Sequence, residues 1–126
     1  MRSVFFGVLF FGIASVSAQE EAGVDSLKGG EMVLVAWGDS SFYMDKHEVT
    51  NEDFADFLNA RGNKKVEGVY YIEMGSRYAL VKEVEGQFVA VEDFERHPAV
   101  EVSWHGADAF CAWAGKRLPD FGEWRW

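Results

Sequence analysis

The residues His97-Pro98-Ala99-Val100-Glu101-Val102-Ser103-Trp104-His105-Gly106-Ala107-Asp108-Ala109-Phe110-Cys111-Ala112-Trp113-Ala114-Gly115-Lys116-Arg117-Leu118-Pro119 read as a short strand, a capped helix and a tight exit. Val100 and Val102 alternate with Glu101, the period of a short strand. Ser103 offers a side-chain oxygen to the first free amides of a helix. Ala107, Phe110, Cys111 and Ala114 follow at helical spacing and form one apolar stripe. Gly115 stands where a left-handed cap is wanted, and Pro119 forbids continuation. Asp120-Phe121-Gly122-Glu123 then has the form of a capping box opening another helix. Gly122 in its first turn weakens that helix by about 1 kcal/mol against Ala. A helix needs roughly 12 residues to stand alone, and only a few follow Asp120. The sequence is therefore expected to stop inside its fold, and residues 19–126 to fold poorly by themselves with Trp and Phe surface exposed.

Upstream, Met32 to Ala36 has the length and apolarity of a strand, Trp37 to Ser41 reads as a turn, and Phe42 to Glu48 reads as a second strand. Thr50 caps a helix with Asp53 at its third position, in an approximate capping box. Val49 is placed to staple onto Phe54. Phe54, Phe57 and Leu58 form its buried stripe, and Gly62 ends it. Val69 to Ile72, Tyr78 to Val84 and Gln87 to Val91 read as short strands, with Glu85-Gly86 as a hairpin turn between the last two.

At 126 residues the chain holds one domain at most, and with 48% hydrophobic residues and 11 Phe it is globular in type. Its net charge of −9 argues against nucleic acid or an anionic membrane as the main partner and fits a solvated acidic surface. Residues 1–18 read as an export leader. Arg2 is its positive end, Val4 to Val16 is an uncharged apolar run too short to span a bilayer comfortably, and Val16-Ser17-Ala18 fits the small-residue rule before a cleavage site. Residues 19–30 read as a linker and 31–126 as the domain. The expected location is periplasmic or secreted, with no membrane association once the leader is cleaved.

Several residues invite a chemical reading. Asp45, His47 and Glu48 lie close together, but alternation puts only Asp45 and His47 on one face, too few for a closed metal site. His97 and His105 read as hydrogen-bonded structural histidines. Ser103 beside His105 lacks a nucleophile elbow and a third partner, so it reads as a helix cap. Lys116 and Arg117 complement the helix C-terminus and are expected to pair with Glu123 or other acids. Trp104, Trp113 and Trp124 read as core. Cys111, the single cysteine, reads as a small buried hydrophobe on the helix stripe. No residue is assigned a catalytic, cofactor-binding or metal-binding role.

The run from His97 to Pro119, with Glu123-Trp124, resembles the formylglycine-generating enzyme family, also called sulfatase-modifying factors. Phe42-Tyr43-Met44-Asp45-Lys46-His47-Glu48-Val49-Thr50-Asn51 looks like the same family's opening motif, and the resemblance covers about residues 31–126. Where the family usually has Pro-Thr-Glu-Ala-Glu-Trp, this chain has Pro119-Asp120-Phe121-Gly122-Glu123-Trp124. The resemblance implies an α+β domain, a variant of the C-type lectin-like fold with much irregular structure, truncated at its C-terminal end. It also implies enzymes that oxidise a sulfatase cysteine to formylglycine with oxygen and a copper ion held by two thiolates. By the resemblance, the thiolates and the family's calcium sites belong to the C-terminal half of the domain, so no copper or calcium is expected on this chain. A sulfatase or another exported protein is the implied partner. A non-catalytic binding module of the same fold is the alternative. A relative of the non-haem iron sulfoxide synthases is a third reading, opposed by the leader and by the lack of that group's usual extra N-terminal domain.

Overall fold

The computed structural model describes residues 10–14 and 29–125. Val16-Ser17-Ala18, read as a cleavage motif, and nearly all of the stretch read as a linker lie outside the described residues. The elements are β1 (Ile13–Ala14), β2 (Met32–Trp37), β3 (Ser40–Asp45), α1 (Asn51–Arg61), β4 (Lys65–Val66), β5 (Val69–Tyr70), β6 (Val81–Val84), β7 (Gln87–Ala90), α2 (Trp104–Trp113) and α3 (Phe121–Trp124). Small antiparallel sheets and few helices make this a mixed α/β structure. One sheet has the order β1-β3-β2, and β4-β5 and β6-β7 are separate hairpins.

The β2–β3 hairpin turns through Gly38-Asp39, with Trp37 opposite Ser40 and Met32 opposite Asp45. The turn is shorter than the sequence implies, and the second strand starts earlier and stops at Asp45. Glu85-Gly86 makes the expected turn between β6 and β7, both residues having positive φ (51° and 79°). Such a two-residue turn matches the twist of its strands. The same Glu-Gly signal recurs at Glu67-Gly68, with φ of 50° and 83°, and closes the β4–β5 hairpin, which the sequence reading passed over.

Helix α1 begins as its cap dictates: the Asp53 amide donates to Thr50 Oγ1 at 3.2 Å. It ends where the Gly62 amide donates to the Leu58 carbonyl at 2.6 Å. Helix α2 begins on Ser103, whose Oγ accepts from the Gly106 amide at 3.0 Å. It ends in a Schellman arrangement, the Gly115 amide donating to the Ala112 carbonyl at 3.2 Å and the Lys116 amide to the Cys111 carbonyl at 2.7 Å. Gly115 has φ 76°, the left-handed backbone that this closure requires.

The two helices meet over a core that includes Phe54, Phe57, Leu58, Phe110 and Cys111, with Val49, Ile72, Val81 and Ala99 around them. Phe54 stacks on Phe110 with centroids 5.8 Å apart, and Phe57 meets Phe110 edge-on at 5.7 Å. Offset and edge-on pairs are the favoured aromatic geometries, and full burial of each ring contributes about 1.5–3 kcal/mol. The predicted stripe of Ala107, Phe110, Cys111 and Ala114 is buried throughout.

Two asparagines tie irregular chain to this core. The Asn59 side chain donates to the Phe88 carbonyl and accepts from the Phe88 amide, both at 2.8 Å, fixing α1 against β7. Asn63 does the same for Ile72, at 3.0 and 3.1 Å.

The short strand expected ahead of α2 is corrected by the backbone. Val100 to Val102 is not a strand: Glu101 has φ 60°, and only a single bridge joins Val102 to Ile72. Phe10 to Ala14, within the stretch read as a leader, packs against the domain. Phe10, Ile13 and Ala14 are buried, and β1 pairs with β3 through Ile13–Met44 and Ala14–Tyr43.

Candidate functional site

The upstream block ends on Asp45 and the downstream block exits α2 through Lys116. They meet in an enclosed ion pair, Lys116 Nζ lying 2.5 Å from Asp45 Oδ1 with both side chains buried. The second carboxylate oxygen, Oδ2, accepts from the Gly12 amide at 2.6 Å. Burial pushes the Asp45 carboxyl above its ordinary value, against the opposing pull of the Lys116 ammonium and the Gly12 amide. A buried charge is tolerated only when it is paired and hydrogen-bonded, and here each carboxylate oxygen has a partner.

Immediately beyond, Arg117 grips Glu123 with a two-pronged contact, Nη1 to Oε2 and Nη2 to Oε1, each 2.7 Å. Arg117 Nη1 also donates to the Leu118 carbonyl at 3.2 Å. Glu123 Oε2 accepts from the Asp120 amide at 2.8 Å, while Asp120 Oδ1 accepts from the Glu123 amide at 2.9 Å, completing the predicted capping box. The guanidinium holds the Glu123 carboxyl below its usual value. The same contact raises Arg117. The expected ion pairs therefore form, but Lys116 turns inward to Asp45 while Arg117 faces out.

The other candidates are dispersed. Asp45 is buried, whereas His47 is exposed, because β3 ends at Asp45 and alternation no longer applies beyond it. His97 is exposed with its ring 4.9 Å from Phe94, and its carbonyl accepts from the Asn51 amide at 2.9 Å. His105, in the first turn of α2, has Nε2 3.3 Å from Glu67 Oε2. Ser103 is a helix cap as read, and its hydroxyl also donates to the Tyr71 carbonyl at 3.3 Å.

The tryptophans divide. Trp113 is half-buried against Phe57 and Phe110, both 5.7 Å away. Trp104 is 67% exposed and Trp124 49% exposed, so neither belongs to the core. Trp104 lies off the buried stripe of α2, and Trp124 sits on the short α3, where it meets Phe11 at 6.1 Å.

Asn51 was not singled out from sequence. It is fully buried, its Nδ2 donates to the Phe94 carbonyl at 2.8 Å, and its Oδ1 has no partner. The dipeptide Thr50-Asn51 at a helix start was the available signal, read only for its threonine.

Cys111 is fully buried and its thiol is pushed up to about 12, chiefly by burial. A thiol so enclosed stays protonated and is a poor ligand and nucleophile. A two-thiolate copper site does not fit these residues: the sequence has one cysteine, and it faces the core. Among the described residues no group of three or more His, Cys, Asp or Glu is arranged to hold a metal ion. A shallow groove of about 360 Å³ is lined by Asn63, Tyr70, Ile72, Glu73, Met74, Gly75, Glu83 and Phe88. Among the described residues no helix is long and apolar enough to cross a membrane.

Comparison with known proteins matches this sequence to a described family. Residues 23–126 match the model of the sulfatase-modifying factor enzyme 1-like domain. The formylglycine-generating enzyme of Mus musculus is 33% identical over 110 residues, covering 68% of this chain and 30% of that protein. The serine/threonine-protein kinase pkn1 of Chlamydia pneumoniae is 38% identical over 85 residues, covering 67% of this chain and 13% of that protein. The inactive C-alpha-formylglycine-generating enzyme 2 of Bos taurus is 63% identical over 27 residues, 21% of this chain and 9% of that protein. The chain thus spans less than a third of the length of these relatives. No solved structure matches. The match over residues 23–126 places the chain in the sulfatase-modifying factor family, as the two sequence blocks joined at Asp45 and Lys116 imply.

Proposed function

We propose that this chain is the scaffold portion of an exported sulfatase-modifying-factor protein, with the C-type lectin-like variant of the α+β class, and that it supplies no catalytic thiolate. The observation that carries this is the joining of the two family blocks by Asp45–Lys116 in a buried lock, with Cys111 enclosed beside it. Nucleophiles, and ligands of an open catalytic metal site, must be within reach of substrate. The residues that carry the family likeness here spend their polar groups on capping, pairing and packing instead. Export rests on Arg2, the apolar run to Val16, and Val16-Ser17-Ala18. A sulfatase or another exported protein is the partner that this reading supplies.

A second reading, a non-catalytic binding module, is favoured by two observations. Relatives of this stretch include a protein described as a kinase and one described as an inactive enzyme. The groove lined by Tyr70, Met74 and Phe88 also carries Glu73 and Glu83, a surface suited to a basic peptide segment.

Titration with Cu(I) against a competing chelator tests the scaffold reading. The full chain is expected to bind no more tightly than its Cys111→Ala variant, because one protonated, enclosed thiol adds nothing. Tight, cysteine-dependent binding by the folded chain overturns it. Export is tested separately by N-terminal sequencing of material recovered outside the cytoplasm. A start at Gln19 is expected, and a product retained in the cytoplasm and beginning at Met1 contradicts it.

A further inference from the structure

The apolar stretch read as the heart of the export leader occupies a slot that is built for a strand. Its backbone is bonded on both sides. On one side the Asp45 amide donates to the Gly12 carbonyl at 3.0 Å, and the Val49 amide to the Phe10 carbonyl at 3.2 Å. On the other, Ile13 and Arg117 exchange both bonds, at 2.7 and 2.8 Å. Phe10 enters the ring cluster edge-on to Phe54 and Phe110, at 6.0 and 5.6 Å. Ile13 is fully buried. At Gly12 the slot is closed to any side chain: an added Cβ would stand 2.5 Å from Lys116 Cδ and 2.9 Å from Asp45 Oδ2. Neither neighbour can swing away, because the two are locked to each other in the buried ion pair.

We propose that the space between β3 and Arg117 is a strand-binding site whose built-in ligand is Phe10–Ala14, and that docking there withholds the leader from export. The site selects an extended, uncharged segment with an aromatic residue, then glycine two places on, then a branched apolar residue and a small one. Phe10–Ala14, the part of the apolar run that is described, completes the core and also lies within the run an export system must grasp, so the two fates exclude each other. A chain that folds before export hides its own leader, and export draws on chains that have not yet folded. This rests on the leader reading of residues 1–18, while the docking itself does not.

The test starts with the full 126-residue chain. Hydrogen exchange is read at the Gly12 and Ile13 amides, with the amides of α1 and α2 as an internal record of folding. Exchange at Gly12 and Ile13 is expected to be slowed by at least about a thousandfold relative to an unfolded chain, together with the helices. Rapid exchange at those two amides with protected helices overturns the docking and leaves the leader reading untouched. The second arm adds purified signal peptidase to folded chain and to chain just diluted from urea. Processing of the folded chain is expected to be at least about tenfold slower. Equal rates overturn the withholding even if the strand is docked.

The variant Gly12→Val keeps the leader apolar while blocking the slot, and should bring the folded-chain rate up to the unfolded one. To keep the proposal testable if that variant fails to fold, a specific protease site placed within residues 20–27 of the otherwise unchanged chain allows the linkage to be cut after folding. The N-terminal piece is expected to co-elute with the remainder. Its loss from a remainder that keeps its protected helices overturns the proposal.

Discussion

Replacing Lys116 with Met removes the cation from the Asp45 pair and little else, since Met fills much the same space. In the parent the Asp45 carboxylate has Lys116 Nζ at 2.5 Å on one oxygen and the Gly12 amide at 2.6 Å on the other. Without the ammonium, one buried oxygen loses its partner and the charge loses its counterion. Breaking one side of a buried pair costs about 3–5 kcal/mol. The sign with pH follows from the carboxyl. Its value is already raised by burial, and Lys116 is the main influence pulling it down. Removing Lys116 raises it further, so the folded variant prefers a protonated Asp45. The loss should be largest at about pH 8 and shrink toward about pH 4, where the proton replaces the missing cation.

A second substitution sharpens the test. Changing Asp45 to Leu in the same chain removes the stranded charge and leaves only the Gly12 amide unpaired, a cost of about 1–3 kcal/mol. The double variant should therefore be more stable than Lys116→Met alone. Urea titration followed by tryptophan fluorescence, at both pH values, measures all three proteins. A loss below about 1 kcal/mol for Lys116→Met at about pH 8, or costs that simply add in the double variant, would refute the buried-lock reasoning.

Cys111→Ala should cost about 1–2 kcal/mol through lost packing, and the parent thiol should resist alkylation until the chain unfolds. Because folding raises that thiol from 9.0 to about 12, its contribution is full below about pH 9 and declines above it; the parent-minus-variant stability gap should narrow with rising pH. Gly106→Ala should destabilise by about 1–3 kcal/mol or more, since its Cβ would stand 2.2 Å from the Tyr71 carbonyl oxygen, a backbone atom that cannot step aside; urea midpoints check it. Glu123→Gln should abolish the part of the stability loss that the parent shows as pH falls below 4.5, because Arg117 holds this carboxyl below that value in the fold. Denaturation midpoints of both proteins across the acid range read the difference.

The local signals were legible because they are local. Thr50, Ser103, Asp120, Gly62 and Gly115 cap or close helices through groups within a few residues of each other, and each does so as the sequence implied. The buried stripe of α2 follows from its period alone. The Asp45–Lys116 pair was not legible, since its partners lie 71 residues apart and nothing in either neighbourhood distinguishes an inward lysine from a solvated one. Lys116 and Arg117 are adjacent and alike in charge, yet the Schellman closure at Gly115 sends one to the core and the other to Glu123. Trp104 and Trp124 were misplaced because an indole weighs toward burial by composition, while position on the helix decides its exposure. Phe10 to Ala14 carried two meanings at once: an uncharged apolar run satisfies both a leader and a buried strand, and periodicity cannot separate the two.

The scaffold claim meets its most direct test in a peptide-oxidation assay read by mass spectrometry. A cysteine-containing sulfatase peptide is incubated with the full chain, copper and oxygen, in parallel with the Cys111→Ala variant. No aldehyde above the protein-free background is expected from either, because the chain's one thiol is enclosed and protonated. Aldehyde formed by the parent chain and lost in Cys111→Ala would contradict that claim.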